Sequence, residues 1–397
     1  MRSKLPDVGT TIFTVMSRRA RELGALNLGQ GFPDYDIDPR LTELVAAAMT
    51  AGHNQYAPME GTLELRAQIA RKIHASYGLT VDPESEITVT LGATEALYSA
   101  IQAVVGVGDE VIIFDPAYDS YEPAVRLAGG RAMRIPLLPP LFRYDWDRVR
   151  AALNERTRLV IINTPHNPAC TAASAEDLQA LAEAIRDHDI LVLSDEVYEH
   201  VVYDGHQHAS VLANAELASK SFAVFSFGKT LHSTGIRIGY GIAPAELTRE
   251  LRKVHQFNTF SISNAFQHAI GRYLIEKPDV WRSLPAFFQA KRDRVRSALA
   301  PAGFGVHPAR GTYFQLVDFS ELMGAEGIRA HDNTRQPLDV WFAEKLLTEG
   351  GVATIPLSPF YEIPPKLPVL RLCIAKRDET LDEAARRMSD FAGTLVS

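Results

Sequence analysis

Between residues 86 and 243 the chain repeats one pattern: a short apolar run, a turn, then a stretch whose apolar residues recur at helical spacing. The runs Glu86–Leu91, Glu110–Asp115, Ala132–Pro136, Arg158–Asn163, Ile190–Leu193, Ser219–Phe225 and Ile238–Ala243 read as strands. Between them, Ala96, Leu97, Ala100, Ile101, Val104 and Val105 mark one helical face, and further helices are expected at Tyr121–Gly129, Trp146–Asn154 and Ala175–His188. Ser174 is positioned to cap the last of these, with Asp177 in its first turn. Short buried strands alternating with helices predict the α/β class: a doubly wound, mostly parallel sheet with helices on both faces.

The flanks are patterned differently. Ahead of this region, helices are expected at Pro39–Ala51 and Leu63–Tyr77, separated by the loop Asn54–Gly61. After Pro244 come helices near Leu247–Val254, Phe266–Ile275 and Leu284–Ala300. Short strands then follow at Gly303–His307, Thr312–Val317, Val352–Ile355 and Leu370–Ile374, among helices at Pro337–Glu349 and Thr380–Phe391. The mixture predicts a smaller α+β domain. The expected division is 1–40 as an N-terminal arm and part of the small domain, 41–285 as the large domain, and 286–397 as the C-terminal small domain. The arm should pack on the small domain, since the apolar residues of Thr10–Ala25 otherwise lack a partner.

At 397 residues the chain is long enough for this architecture, and 46% hydrophobic with 22% charged residues is ordinary globular composition. A net charge of -7 argues against a general nucleic-acid or anionic-membrane surface. No apolar run reaches membrane-spanning length, and Met1–Pro6 lacks a signal-peptide core. With only Cys170 and Cys373 present, a reducing, cytoplasmic setting is expected.

The candidate chemistry gathers at strand ends. In an open α/β sheet, ligands bind outside the carboxyl ends of the strands. Gly92–Ala93–Thr94, Tyr118, Asn167, Asp195 with Tyr198, and Lys229 each follow an expected strand. The first is a glycine turn into a helix N-terminus, an anion site by its free N–H groups and helix dipole. A lysine at such a mouth loses charge by desolvation and can attack an aldehyde. Ser226 and Arg237 flank it as hydroxyl and fixed cation, a pair suited to phosphate. Alone, each has an ordinary structural reading. Together they are the groups that a pyridine aldehyde phosphate requires.

Over nearly its full length the chain resembles the fold-type I, pyridoxal-phosphate-dependent class I/II aminotransferases. The resemblance is carried by Asn-Leu-Gly-Gln-Gly-Phe-Pro-Asp (27–34), Asn-Gln-Tyr-Ala-Pro-Met (54–59), Asp-Pro-Ala-Tyr-Asp-Ser-Tyr (115–121), Thr-Pro-His-Asn-Pro (164–168), Ser-Asp-Glu-Val-Tyr-Glu-His (194–200), Ser-Phe-Gly-Lys-Thr (226–230) and Arg-Leu-Cys-Ile-Ala-Lys (371–376). Within the family it is most similar to bacterial methionine aminotransferases and the kynurenine aminotransferase / cysteine-conjugate β-lyase branch, and Gly9–Phe13 favours the methionine side.

The resemblance implies that Lys229 bonds the cofactor aldehyde and shuttles the substrate proton. Asp195 would pair with the ring nitrogen, Asn167 and Tyr198 with the ring oxygen, and Tyr118 would stack on the ring. Gly92, Ala93, Thr94, Ser226 and Arg237 would hold the phosphate, joined by Tyr56 of a second copy in a homodimer with shared sites. Arg371 would clamp the substrate carboxylate beside Gly31, with Phe13 and a neighbouring copy's Phe260 lining the side-chain pocket. Relatives often carry Trp-Lys where this chain has Ile236–Arg237, a swap that keeps the cation. The expected partners are therefore an L-amino acid and a 2-oxo acid.

Rival readings share or lose this site. A C–S β-lyase would use the same residues, whereas a non-catalytic cofactor-binding sensor would carry an N-terminal DNA-binding module, and here the first residues read as the arm. Dehydrogenase, zinc, Walker and nucleophile-elbow motifs are absent, and no metal site is expected.

Overall fold

The computed structural model of the chain describes residues 3–331 and 336–396; Met1 and Arg2, which open the expected arm, lie outside the described residues. Its centre is a seven-stranded sheet built from β2 (Ile87–Leu91), β3 (Glu110–Asp115), β4 (Arg131–Pro136), β5 (Thr157–Asn163), β6 (Leu191–Asp195), β7 (Ser221–Ser226) and β8 (Ile238–Ile242). A short β1 (Leu26–Asn27) precedes them in the arm. The spatial order is β2-β8-β7-β6-β5-β3-β4. All neighbours run parallel except β8, which is antiparallel to both β2 and β7.

Strand alternation explains why both faces are covered. In β7, Phe222 and Val224 point into one apolar cluster while Ala223 and Phe225 point into the other. The same split separates Val111 and Ile113 from Ile112 and Phe114 in β3. Helix Gly92–Val104 brings Leu97 and Ile101 to the first face; helix Leu63–Tyr77 brings Ile69 and Ile73 to the second. Each fully buried Phe or Val stabilises the fold by roughly 1.5–3 kcal/mol before the chain entropy of ordering it is counted.

The reversal of β8 matters for the site. Leu91 at the end of β2 pairs with Ile238 at the start of β8. The residue just before β8, Arg237, therefore stands at the edge where the parallel strands end.

A second sheet has the order β12-β13-β10-β9, formed by β9 (Gly305–Val306), β10 (Phe314–Asp318), β12 (Ile355–Pro356) and β13 (Val369–Cys373). The expected single strand Val352–Ile355 is divided: β11 (Val352–Ala353) pairs in parallel with β1, while β12 turns to pair with β13. The arm is thus hydrogen-bonded to the C-terminal part of the chain, as its apolar pattern required. Its residues Ile12–Glu22 form a helix capped by Thr11. Helix Ser320–His331 was not evident in the sequence, because Gly324 (φ 61°) interrupts it. The helix expected at Ala175–His188 ends at Ala184, and Ser174 and Asp177 form a reciprocal capping box at its start. Among the described residues, no helix is long and apolar enough to cross a membrane.

Candidate active site

A cavity of about 140 Å³ opens where the parallel strands end. Nine residues singled out in the sequence line it: Ala93, Thr94, Tyr118, Asn167, Asp195, Tyr198, Ser226, Lys229 and Arg237. Leu97, Asn163 and Val197 complete the wall.

Lys229 sits in the single-turn helix Phe227–Thr230 that follows β7 directly. Burial pushes its amine down to about 8, with Arg237 and Arg371 adding to the fall and Asp195 opposing it. Its Nζ donates to the Tyr313 hydroxyl at 2.7 Å, and that hydroxyl donates to the Gly31 carbonyl at 2.6 Å. The same Nζ lies 5.5 Å from the centre of the Tyr198 ring.

Asp195 is the last residue of β6 and only 4% exposed. Its carboxylate accepts from the Tyr121 hydroxyl at 2.6 Å and from the Val197 N–H at 3.3 Å. Burial still raises it to about 6. No Lys, Arg or His among the described residues forms an ion pair with it, so a cation arriving in the cavity meets an uncompensated carboxylate.

At the opposite wall, helix Gly92–Val104 begins immediately after β2. Gly92 has φ +70°, and a Cβ there would lie 2.7 Å from Arg237 Nη2. Gly239 is as constrained, since its Cβ would meet the Ala93 nitrogen at 2.5 Å. Two glycines thus bring a helix N-terminus and a guanidinium together beside Ser226. Amide donors, dipole and fixed charge at one spot suit a phosphate.

Arg371, on β13, is 1% exposed. It donates to Asn167 Oδ1 at 2.6 Å and to the Gly29 carbonyl at 2.9 Å, while its Nε has no hydrogen-bond partner among the described residues. The guanidinium lies 3.9 Å from the Phe314 ring centre and 4.9 Å from that of Phe13, and Phe13 in turn packs 5.4 Å from Phe360. A buried arginine with no carboxylate partner among the described residues is prepared for an incoming one. Gly31, expected beside the substrate carboxylate, accepts from the Tyr313 hydroxyl through its carbonyl, and Gly29 supplies the carbonyl that touches the guanidinium. Gly31 still needs to be glycine, because a Cβ would lie 2.7 Å from Phe314 Cζ.

Of the other expected residues, Gly92, Gly31, Arg371 and Phe13 are not among those lining the cavity, and Tyr56 and Phe260 stand on the surface. Tyr56 is 82% exposed and Phe260 44% exposed, and they pack edge-on at 5.4 Å. Sequence reasoning missed Tyr313, Tyr121, Phe314 and Gly29. Tyr121 was within reach, lying three residues beyond Tyr118 on an expected helix. The others meet the site only through the tertiary fold.

Comparison with known proteins places the chain in a family. The family model for aminotransferase class I and II matches residues 24–388. The chain is 49% identical over 386 residues to the methionine aminotransferase of Escherichia coli K12, covering 97% of each chain. It is 32% identical to kynurenine–oxoglutarate transaminase 3 of Rattus norvegicus, covering 96% of this chain and 88% of the relative. The crystal structure of E. coli YbdL, reported to have a methionine aminotransferase function, superposes with a TM-score of 0.92 at 48% identity, covering 98% of this chain and 99% of that one. With its doubly wound sheet and strand-end cavity, the chain belongs to the class I and II aminotransferases of fold type I and is an enzyme of that kind.

Proposed function

We propose that the cavity receives pyridoxal 5'-phosphate, and that the enzyme moves the amino group of methionine, or of an L-amino acid with an aromatic or large aliphatic side chain, to a 2-oxo acid. The observation that carries this reading is the coexistence of a lysine amine weakened to about 8 and an unpaired, buried aspartate in one small cavity. The residues present fit the group. When bound, the cofactor supplies an aldehyde that captures amines and a ring that draws electrons from the substrate Cα.

Lys229 holds the cofactor and, once displaced by the amino acid, takes the proton from its Cα. Asp195 keeps the proton on the ring nitrogen, and Asn167 and Tyr198 hold the ring oxygen. Tyr118 covers the ring. The N–H groups at Gly92, Ala93 and Thr94, with Ser226 and Arg237, bind the phosphate. Arg371 clamps the substrate carboxylate, its Nε having no hydrogen-bond partner among the described residues. Phe13, beside that clamp, offers apolar surface to a methionine or aromatic side chain, in keeping with the E. coli relative.

Exposure of Tyr56 and Phe260 together, away from the chain's own cavity, supports a homodimer in which each copy lends both residues to the other's site. The domain division at about residues 40 and 285 is supported by the confinement of the large sheet to residues 87–242 and of the second sheet to residues 305–373. The two cysteines, both buried and outside any disulfide among the described residues, support a cytoplasmic location.

The test is a half-reaction screen, following the bound cofactor's visible absorbance as each amino acid is added. Methionine and phenylalanine should react at least about tenfold faster than aspartate. Lys229→Ala should lose both the cofactor's lysine-bonded absorbance and turnover. Retained turnover in that variant would refute the assignment.

A further inference from the structure

A lysine that must act as a base needs its nitrogen aimed as well as neutral, and the residue that aims it lies 84 positions away in sequence. We infer that Tyr313 is the positioning residue for Lys229: its hydroxyl, committed as a donor to the Gly31 carbonyl, can only accept from the lysine, and so turns the amine's free electron pair toward the cavity. This inference rests on Lys229 being the base of the proposed reaction.

Toward the lysine the geometry leaves the phenol one role, and its hydroxyl also meets that of Tyr198. Tyr313 Oη donates to Gly31 O at 2.6 Å and receives Lys229 Nζ at 2.7 Å, which uses its single proton and one of its acceptor positions. The ring cannot swing away. Tyr198, Phe314 and Phe288 surround it, with ring centres 5.0, 5.0 and 5.6 Å distant, and the residue is 1% exposed. Gly31 cannot shift outward with a side chain, because Phe314 fills that space. Burial also drives the Tyr313 phenol well above its ordinary range, so it neither gives nor takes the proton itself. The same backbone segment serves the other end of the site, since Arg371 donates to Gly29 O. The arm loop therefore fixes amine and carboxylate clamp in one frame.

The experiment reads Lys229 directly, on the full chain freed of cofactor, by competitive acylation of its amine across pH. Facing that amine are Asp195, Arg237, Arg371, Cys373 and the Tyr198 ring, all unchanged in the variant. In Tyr313→Phe the ammonium loses an acceptor, and the labelling midpoint of Lys229 should fall by roughly one pH unit. In the loaded enzyme, kcat should fall about tenfold to a hundredfold while KM for methionine and cofactor affinity stay within about twofold. Tyr203→Phe is the control, because the Tyr203 hydroxyl donates to Thr312 O in the same segment without touching the lysine, and the Lys229 midpoint should not move.

Should Tyr313→Phe fail to fold, Gly31→Ala reaches the pair from the other end. Displacing the carbonyl frees the phenol to donate to the amine, which again favours the neutral form and lowers the midpoint. An unmoved Lys229 midpoint in either folded variant overturns the inference. A shifted midpoint in a chain that binds no pyridoxal phosphate would uphold the Tyr313–Lys229 contact but remove the proposed function, and with it the positioning role.

Discussion

Asp195 is costly to the empty protein, and the cost has a sign that can be measured. Its carboxyl is raised from 3.8 to about 6 by burial, so the folded chain binds that proton more tightly than the unfolded one. The stability it contributes is complete below about pH 4 and is lost as pH rises through about 6. At about 1.4 kcal/mol per pH unit, the loss is roughly 2–3 kcal/mol. Denaturant melts of the cofactor-free chain should show this decline between pH 4.5 and 7.5, and Asp195→Asn, which cannot ionise, should flatten it. A parent and variant with parallel pH dependence would show that the carboxyl is not strained. A cation docked on Asp195 reverses the sign, which is how a protonated ring nitrogen would be held where water cannot compete.

At the scale of elements, the site depends on a strand running the wrong way. Because β8 is antiparallel, its first residues stand where its neighbours' last residues are, and Arg237 (φ +60°) meets helix Gly92–Val104 there. The two glycines at this junction fail differently. Gly92→Ala pushes on a guanidinium that can move and adds a left-handed backbone strain of about 1–2 kcal/mol. It should weaken pyridoxal phosphate binding by about tenfold or more, read by titration of the cofactor-free chain. Gly239→Ala would drive a methyl group into backbone on two sides, Ala93 N at 2.5 Å and Phe225 O at 2.9 Å, so its larger effect, about 1–3 kcal/mol, should appear in the melting midpoint.

The same scale explains what the sequence disclosed. A strand followed by a glycine turn or a lysine is a local signal, so Gly92, Asp195 and Lys229 were legible from neighbours alone. The run Val352–Ile355 looked like one strand because its apolar and β-branched residues carry no turn signal; only the fold divides it, giving Val352 and Ala353 to the arm and Ile355 to β13. Tyr313 carried no local mark of its contact with Lys229, since nothing near Thr312-Tyr313-Phe314 in sequence refers to residue 229. Gly29 lies in the motif of residues 27–34, but which carbonyl of that motif meets Arg371 is set by the tertiary fold.

For the whole molecule, the question is whether one chain makes a complete site. Lys229, Asp195 and Arg371 converge within a single copy, but Tyr56 and Phe260 face outward, exposed and packed on each other. If each copy lends Tyr56 to the other's phosphate, then Lys229→Ala and Tyr56→Ala inactivate different halves of the same site. Each variant alone should be nearly inactive. Mixed and allowed to exchange subunits, they should form hybrid dimers in which one site carries both defects and the other carries neither. Random pairing puts half the molecules in hybrids with one intact site of two, so activity should return to about a quarter of the parent's. No recovery, in a mixture shown by native mass spectrometry to contain hybrid dimers, would mean that Tyr56 serves its own chain. Recovery at this level requires two-fold symmetry with residues crossing the interface, because separate self-contained sites have nothing to complement.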